Sequence, residues 1–164
     1  MNAQRFAGRA DFQRLMAETL AWAAAQGIRE LHAWDATFVD WPLSDAAVLA
    51  SLTAWAKTGR QLHLLALQYD DVVRRHPRFV RWRRDFAHCV TARAVEPELR
   101  LDGAPESLLV AVGLDASLSL RLFDRHLWRG ELSRDPADRV RGLEWIDAVA
   151  QRSSDSFAPT TLGL

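Results

Sequence analysis

The sequence predicts an α/β fold with a mixed, mostly parallel sheet and helices on both faces, and three observations support this. Segments with helical spacing of apolar residues alternate with short apolar runs through the first two-thirds of the chain. This alternation is typical of right-handed β-α-β crossovers. The run QLHLLAL at 61–67 is apolar on both faces, as expected for a central strand covered on both sides. Two further apolar runs, at 107–113 and 117–123, are separated by a short turn and predict adjacent strands.

The first half of the chain contains two predicted helices and two predicted strands. Apolar residues recur at helical spacing over residues 11–26, and Gly27 can end that helix in a left-handed conformation. A strand follows at 28–34. A loop then leads to Ser44, a candidate N-cap for the second helix. The strand at 61–67 comes next.

The middle of the chain carries a helix that we expect to be broken at a proline. Pro77 disfavours helical geometry at His76, the residue before it, but suits the first turn of a helix. We therefore expect a break between 76 and 77, a new helix from 77 to about 87, and a third strand at 88–95.

The last third begins with a turn-rich loop at 96–106 and continues through the two apolar runs. RHLWRGEL at 125–132 is a candidate further strand, and Asp135, followed by proline, predicts the start of a closing helix. We expect one domain over residues 1–152 and a small, polar C-terminal tail over 153–164.

Composition limits the classes of function. The 21 basic and 21 acidic residues cancel, so any attraction to an anionic partner must be local. Cys89 is the only cysteine, which excludes an intrachain disulfide and a cysteine-rich zinc site and fits a reducing compartment. The sequence has no signal-peptide pattern and no run of roughly 18 apolar residues that would span a membrane. We therefore expect a cytoplasmic protein.

The common catalytic and cofactor motifs are absent. The sequence has no Walker A loop, no spaced-glycine dinucleotide fingerprint and no G-x-S-x-G elbow. Its five histidines do not form an i, i+4 pair. We therefore expect no cofactor, no metal and no intact catalytic centre.

The order of elements resembles a single half of the phospholipase D superfamily. Members of that superfamily carry a histidine, a lysine two residues later and an aspartate five residues after the lysine. The corresponding stretch here is LLVAVGLD, in which Leu108, Val110 and Asp115 occupy the three positions. Leucine cannot act as the nucleophile and valine cannot neutralise phosphate charge. The resemblance thus implies the fold without the phosphodiesterase centre.

Two further implications come from resemblance. Phospholipase D-like halves commonly pair, so the resemblance implies a homodimer. The whole sequence also resembles a family of small proteobacterial proteins, which implies no function.

The stretch HPRFVRWRRDF at 76–86 carries the main candidate site. At about 100° per residue, Arg78 and Arg81 share one face of the predicted helix with Arg74, and Phe79 falls on the opposite side. The arginines are therefore predicted to be exposed and the aromatic residues to be core.

This segment is strongly basic. Residues 72–88 contain six arginines and one aspartate, a local charge of +5 with the histidines neutral. Such a strip favours phosphate-bearing anions, either nucleic acid or phospholipid. Arg83 falls on the apolar side and is predicted to extend its charged end to solvent, to pair with a carboxylate or to lie in an interface. The candidate anion-binding residues are Arg74, Arg78, Arg81, Arg83 and Arg84.

Two alternatives remain open. Ligands of α/β sheets tend to bind beyond the carboxyl ends of parallel strands, which predicts a second site. Asp35 with Asp70 or Asp71 would there serve a small-molecule or metal-dependent hydrolase, although the same aspartates suit turn and helix caps. The other alternative is a protein-interaction module that uses Trp41, Trp128 or the tail. The residues of the second site are Asp35, Tyr69, Asp70, Asp71 and Arg93.

Overall fold

The computed structural model describes residues 3–159, which form eight strands and five α-helices. A single turn of 3₁₀-helix, Ala87–Cys89, precedes the fourth strand. In chain order the elements are β1 (Ala3–Ala7), α1 (Arg9–Gln26), β2 (Glu30–Asp35), α2 (Ala46–Trp55), β3 (Gln61–Ala66), α3 (Asp70–Arg75), α4 (Pro77–Asp85), β4 (Val90–Val95), β5 (Ser107–Val112), β6 (Ser117–Asp124), β7 (Arg129–Ser133), α5 (Pro136–Ala150) and β8 (Ser153–Asp155).

All eight strands belong to one mixed sheet, in the order β1-β7-β6-β5-β2-β3-β4-β8. The α/β class and the mixed sheet are confirmed. The expectation of a mostly parallel sheet is wrong, because only β2–β3 and β3–β4 pair in parallel and the other five pairs are antiparallel. The parallel pairs are those joined by helical crossovers. Beyond β4 the chain crosses by a loop and then returns in hairpins, which run antiparallel.

Helices cover both faces of the sheet, as predicted. Along β2, Leu31 and Ala33 face the core beneath α1, α2 and α4, whereas Trp34 faces the core beneath α5. This is the alternation expected of a strand. We call these two sides the α1–α4 face and the α5 face. No helix within residues 3–159 is long and apolar enough to cross a membrane.

Three helix boundaries lie where local sequence signals predict them. Gly27 ends α1 at a φ of 65°, α4 begins at Pro77 after the break at His76, and the Asp135 carboxylate caps α5 by accepting from the Ala137 N–H.

The N-cap predicted for the second helix is wrong. Asp45, not Ser44, caps α2, because the Asp45 carboxylate accepts from the Ala47 N–H at 2.9 Å. The Ser44 hydroxyl instead lies 2.6 Å from His76 Nδ1.

The chain contributes two edge strands that we did not predict. β1 pairs with β7, and β8 pairs with β4. Because β8 lies within the predicted tail, the sheet extends past the boundary placed at residue 152. Phe157 also packs against the core of the α1–α4 face. The last part of the predicted tail, 160–164, lies outside the described residues.

Candidate functional site

Five of the six arginines of α3 and α4 are exposed. The apolar side of α4 buries Phe79 and Trp82, so the predicted helical phase is confirmed for these residues. We call the exposed set the arginine strip; it consists of Arg74, Arg75, Arg78, Arg81 and Arg84.

The junction between α3 and α4 is held by a buried histidine. His76 is 8% exposed, and its Nε2 lies 2.9 Å from the Val39 carbonyl oxygen. Its Nδ1 contacts the Ser44 hydroxyl. These two contacts anchor the junction between α3 and α4 to the loop that precedes α2.

Only part of the strip is neutralised by carboxylates. Arg74 pairs with Asp71 at 2.6 Å and Arg84 contacts Asp85 at 3.6 Å. Within residues 3–159, Arg75, Arg78 and Arg81 have no carboxylate oxygen within 4.0 Å. Arg75 was not among the predicted anion-binding residues.

Arg83 lies beneath the strip and is not part of it. Its side chain is buried, its Nε donates to the Phe157 carbonyl at 3.3 Å, and its guanidinium lies 5.8 Å from the Phe157 ring centre. The predicted carboxylate partner is wrong, since the chain after β8 supplies a carbonyl and a ring instead. The Nη1 atom is buried with no hydrogen-bond partner among the described residues. Burial lowers the pKa of Arg83.

Asp35, a residue of the alternative site, accepts hydrogen bonds from within the fold on both of its carboxylate oxygens. Its carboxylate is 1% exposed. Oδ1 accepts from the N–H groups of Thr37 and Phe38 at 3.0 and 2.8 Å, and Oδ2 accepts from Arg125 at 2.9 Å. Asp35 therefore closes a turn and neutralises an arginine.

Asp70 and Asp71 do not form a common site with Asp35. Neither one caps α3 with its side chain, because Tyr69 occupies the N-cap position. Asp70 is exposed, while the Asp71 carboxylate accepts from Gln68 and Arg74. These hydrogen bonds lower the pKa of Asp71. Within residues 3–159, the three aspartates do not form a cluster of ligand atoms that could hold a metal.

Tyr69 and Arg93 serve the packing of the C-terminal strand. The buried Tyr69 hydroxyl donates to the Arg93 carbonyl at 2.8 Å, and burial raises the pKa of Tyr69. The Arg93 guanidinium donates to the Ser153 carbonyl at 2.6 Å and to Asp155 at 2.8 Å. Arg93 therefore fastens β8 to β4.

Sequence reasoning missed Arg125, a cation that contacts several distant segments of the chain. It contacts Asp35 at 2.9 Å, Asp40 at 2.7 Å and the Glu106 carbonyl at 3.0 Å. It also lies 5.2 Å from the ring centre of Trp128. Burial acts to lower its pKa, but the surrounding carboxylates raise it above the ordinary value. No spacing pattern signalled Arg125, because its partners come from distant segments.

The tryptophans proposed for a protein interface are engaged within the fold. Trp41 is buried and its indole N–H donates to the Ser107 hydroxyl at 2.8 Å. Trp128 is half-buried, with its ring against Phe12 and with the guanidinium groups of Arg9 and Arg125 5.9 and 5.2 Å from its ring centre. Trp41 therefore offers no surface to a partner.

Two of the three residues that the sequence comparison assigned to the phospholipase D motif lie in the core. Leu108 and Val110 on β5 are 1% and 0% exposed and pack beneath α5. Gly142 of α5 comes so close that a Cβ there would lie 3.0 Å from a Val110 methyl. Asp115 is exposed in the β5–β6 turn.

Comparison with known proteins agrees with this architecture. No family model and no curated protein matches the sequence. Among solved structures, the archaeal chromatin protein TrmBL2, described as showing a novel mode of DNA binding, matches at 12% identity and a TM-score of 0.61. That match covers 95% of this chain but 54% of TrmBL2, so this chain spans about half of that protein.

Two bacterial structures match over almost their whole length. NucT from Helicobacter pylori has 8% identity and a TM-score of 0.57, covering 94% of this chain and 99% of NucT. Nuc from Salmonella typhimurium, a phospholipase D family member, has 10% identity and a TM-score of 0.55, covering 94% and 97%. The protein therefore has a phospholipase D-like fold.

Proposed function

We propose that the protein is a non-catalytic domain that binds nucleic acid through the arginine strip. The observation that carries this proposal is that Arg75, Arg78 and Arg81 of α3 and α4 are exposed and have no carboxylate partner within residues 3–159. Three guanidinium groups without a carboxylate partner form a local positive field in a chain of zero net charge.

The burial of the aromatic residues decides which nucleic acid suits the strip. Binding of single strands relies on bases stacked on exposed rings beside basic groups. Here Phe79 and Trp82 are buried, so the strip presents charge without a stacking platform. It therefore suits the phosphate backbone of a duplex, read without sequence preference.

The absence of catalysis is part of the proposal. Leu108 and Val110 supply neither a nucleophile nor a charged phosphate ligand. The description of TrmBL2 as binding DNA applies to that whole protein, of which this chain spans 54%. It adds support to nucleic-acid binding without locating the surface.

Reversing two charges of the strip should abolish most duplex binding. The wild type, with about three phosphate contacts, should show a log–log salt slope of about −2 to −3. The double substitution Arg78→Glu and Arg81→Glu should reduce affinity at low salt by about tenfold or more and flatten that slope. Both side chains are exposed, so the free energy of unfolding should change by about 0–1 kcal/mol. Fluorescence anisotropy with a short labelled duplex measures the affinity.

A matched control separates local from overall charge. Arg5 and Arg100 have side chains 89% and 85% exposed, and reversing both gives the same change in net charge. This control should bind DNA like the wild type. The wild type should also leave the duplex intact on a gel, because the proposed domain is non-catalytic. Equal loss of binding in the two double variants would contradict the proposed surface. Binding to phosphatidylserine vesicles but not to DNA would identify a phospholipid ligand instead.

We also propose that the protein self-associates, as its resemblance to paired phospholipase D-like halves implies. Phe123 and Leu127, near the β6–β7 turn, are 52% and 54% exposed and offer apolar contact area. Sedimentation velocity at tens of micromolar protein should show a species of twice the 18.5 kDa monomer mass. Detection of the monomer alone would contradict self-association.

We propose the cytoplasm as the compartment, on the basis of Cys89. It is the only cysteine of the chain, and its side chain is buried and free. A fold stabilised without disulfides fits a reducing environment.

A further inference from the structure

Two histidines and a glutamate converge on the α5 face, at the start of the central strands. His32 on β2 and His63 on β3 are directly opposite each other in the parallel register. Glu30 precedes His32 by two residues and therefore projects from the same face of β2. His32 and His63 are half-buried and Glu30 is exposed, so solvent reaches this cluster.

The distances within the cluster match those between ligands of a metal ion. The two imidazole rings stack with centres 4.7 Å apart. Nε2 of each histidine lies 3.2 Å from the same oxygen, Glu30 Oε1. Zinc–nitrogen and zinc–oxygen bonds of about 2.0–2.1 Å in a tetrahedron place neighbouring ligand atoms ~3.3 Å apart. One atom from each of the three residues lies within 4.8 Å of the others.

A neighbouring threonine can hold His63 in the tautomer that a metal requires. His63 Nδ1 lies 2.8 Å from the Thr91 hydroxyl on β4. When Nδ1 is protonated and donates to Thr91, Nε2 carries a free lone pair directed at Glu30. Most metal-binding histidines donate their second ring N–H to an oxygen acceptor in this way.

The charges around His32 favour a bound cation. The negative charges of Glu30 and of Asp147 on α5 both act on the His32 imidazole. Glu30 and Asp147 add negative charge that would stabilise a bound cation.

We propose that His32, His63 and Glu30 bind one zinc ion, with water in the fourth position. Two imidazoles and one carboxylate are a known ligand set for zinc with an open fourth position. The two nitrogen ligands disfavour magnesium and calcium, which prefer all-oxygen sites. The site lies on the opposite sheet face from the arginine strip and does not depend on the proposed DNA binding.

Titration of tag-free protein with zinc chloride tests the site. Isothermal titration should give one equivalent of zinc per wild-type chain, with no heat from magnesium chloride. His63→Ala and Glu30→Gln should each weaken zinc binding by at least about tenfold. Thr91→Val, which touches no metal, should weaken binding by about tenfold through loss of the contact to Nδ1. His126→Ala, in the exposed β6–β7 turn, should bind zinc like the wild type.

Two further readouts keep the proposal testable if a variant folds poorly. Zinc bound only to the native state should raise the melting temperature of the wild type and not that of Glu30→Gln. Cobalt(II), substituted for zinc, should give the intense visible absorption of a four-coordinate site. The Arg78→Glu, Arg81→Glu variant should retain zinc binding. Equal zinc affinity in the wild type, His63→Ala and Glu30→Gln would overturn the site, as would the absence of zinc binding to the wild type.

Discussion

Replacement of Arg125 by methionine should lower the free energy of unfolding by about 3–5 kcal/mol, the usual cost of removing one partner from a buried ion pair. Asp35 is 1% exposed and would keep a charged carboxylate without its cation. Asp40, 2.7 Å from the same guanidinium, would lose a partner as well. Urea denaturation followed by tryptophan fluorescence measures the change.

Arg9, a more exposed partner of Asp40, provides the control. Arg9 contacts Asp40 at 3.3 Å and is 55% exposed, so Arg9→Met should cost about 0–1 kcal/mol. In an Asp35→Asn background, where no buried charge remains at that position, Arg125→Met should cost less than in the wild type. The coupling energy between the two substitutions should be about 1–3 kcal/mol. Equal effects of Arg9→Met and Arg125→Met would show that the buried pair is not important for stability.

Reversal of the charge at Arg83 should destabilise the fold by about 3–5 kcal/mol. A glutamate at this position would place a buried negative charge against the Phe157 carbonyl, which now accepts from Arg83 Nε. Arg83→Met should behave differently, because methionine fills similar space and removes the buried Nη1 donor that lacks a partner. We expect a change of less than about 1.5 kcal/mol for Arg83→Met.

The adjacent arginine is the matched control for this position. Arg84 has a side chain 55% exposed, so Arg84→Glu should change stability by about 0–1 kcal/mol. Thermal melts of Arg83→Glu, Arg83→Met and Arg84→Glu compare the three cases. If Arg83→Glu had the same melting temperature as Arg84→Glu, the side chain of Arg83 would have to be at the surface.

Features determined by a few adjacent residues could be predicted from the sequence. The break at Pro77, the cap at Asp135 and the exposure of Arg78 and Arg81 follow from proline geometry, a capping carboxylate and the helical period. Each of these signals acts within one or two turns of helix, so tertiary contacts did not override it.

Features that depend on distant pairing could not be predicted. Arg83 was expected to meet a carboxylate, but its partner is Phe157, 74 positions away. His32 and His63 become neighbours only through the register of β2 and β3, and no spacing rule reveals that register. The parallel share of the sheet was overestimated because a connection, not the composition of a strand, sets the direction of the strand after it.

The pairing of β1 with β7 has a consequence for how the chain folds during synthesis. Ala3 pairs with Ser133, so the first strand has no partner until some 130 residues have followed it. Contacts of such large sequence separation form slowly, and an unpaired strand is a site for intermolecular association. The composition of β1 limits such association, since only Phe6 of its five residues is buried and Arg5 places a charge on the strand. β1 therefore presents little apolar surface to other chains before β7 is synthesised.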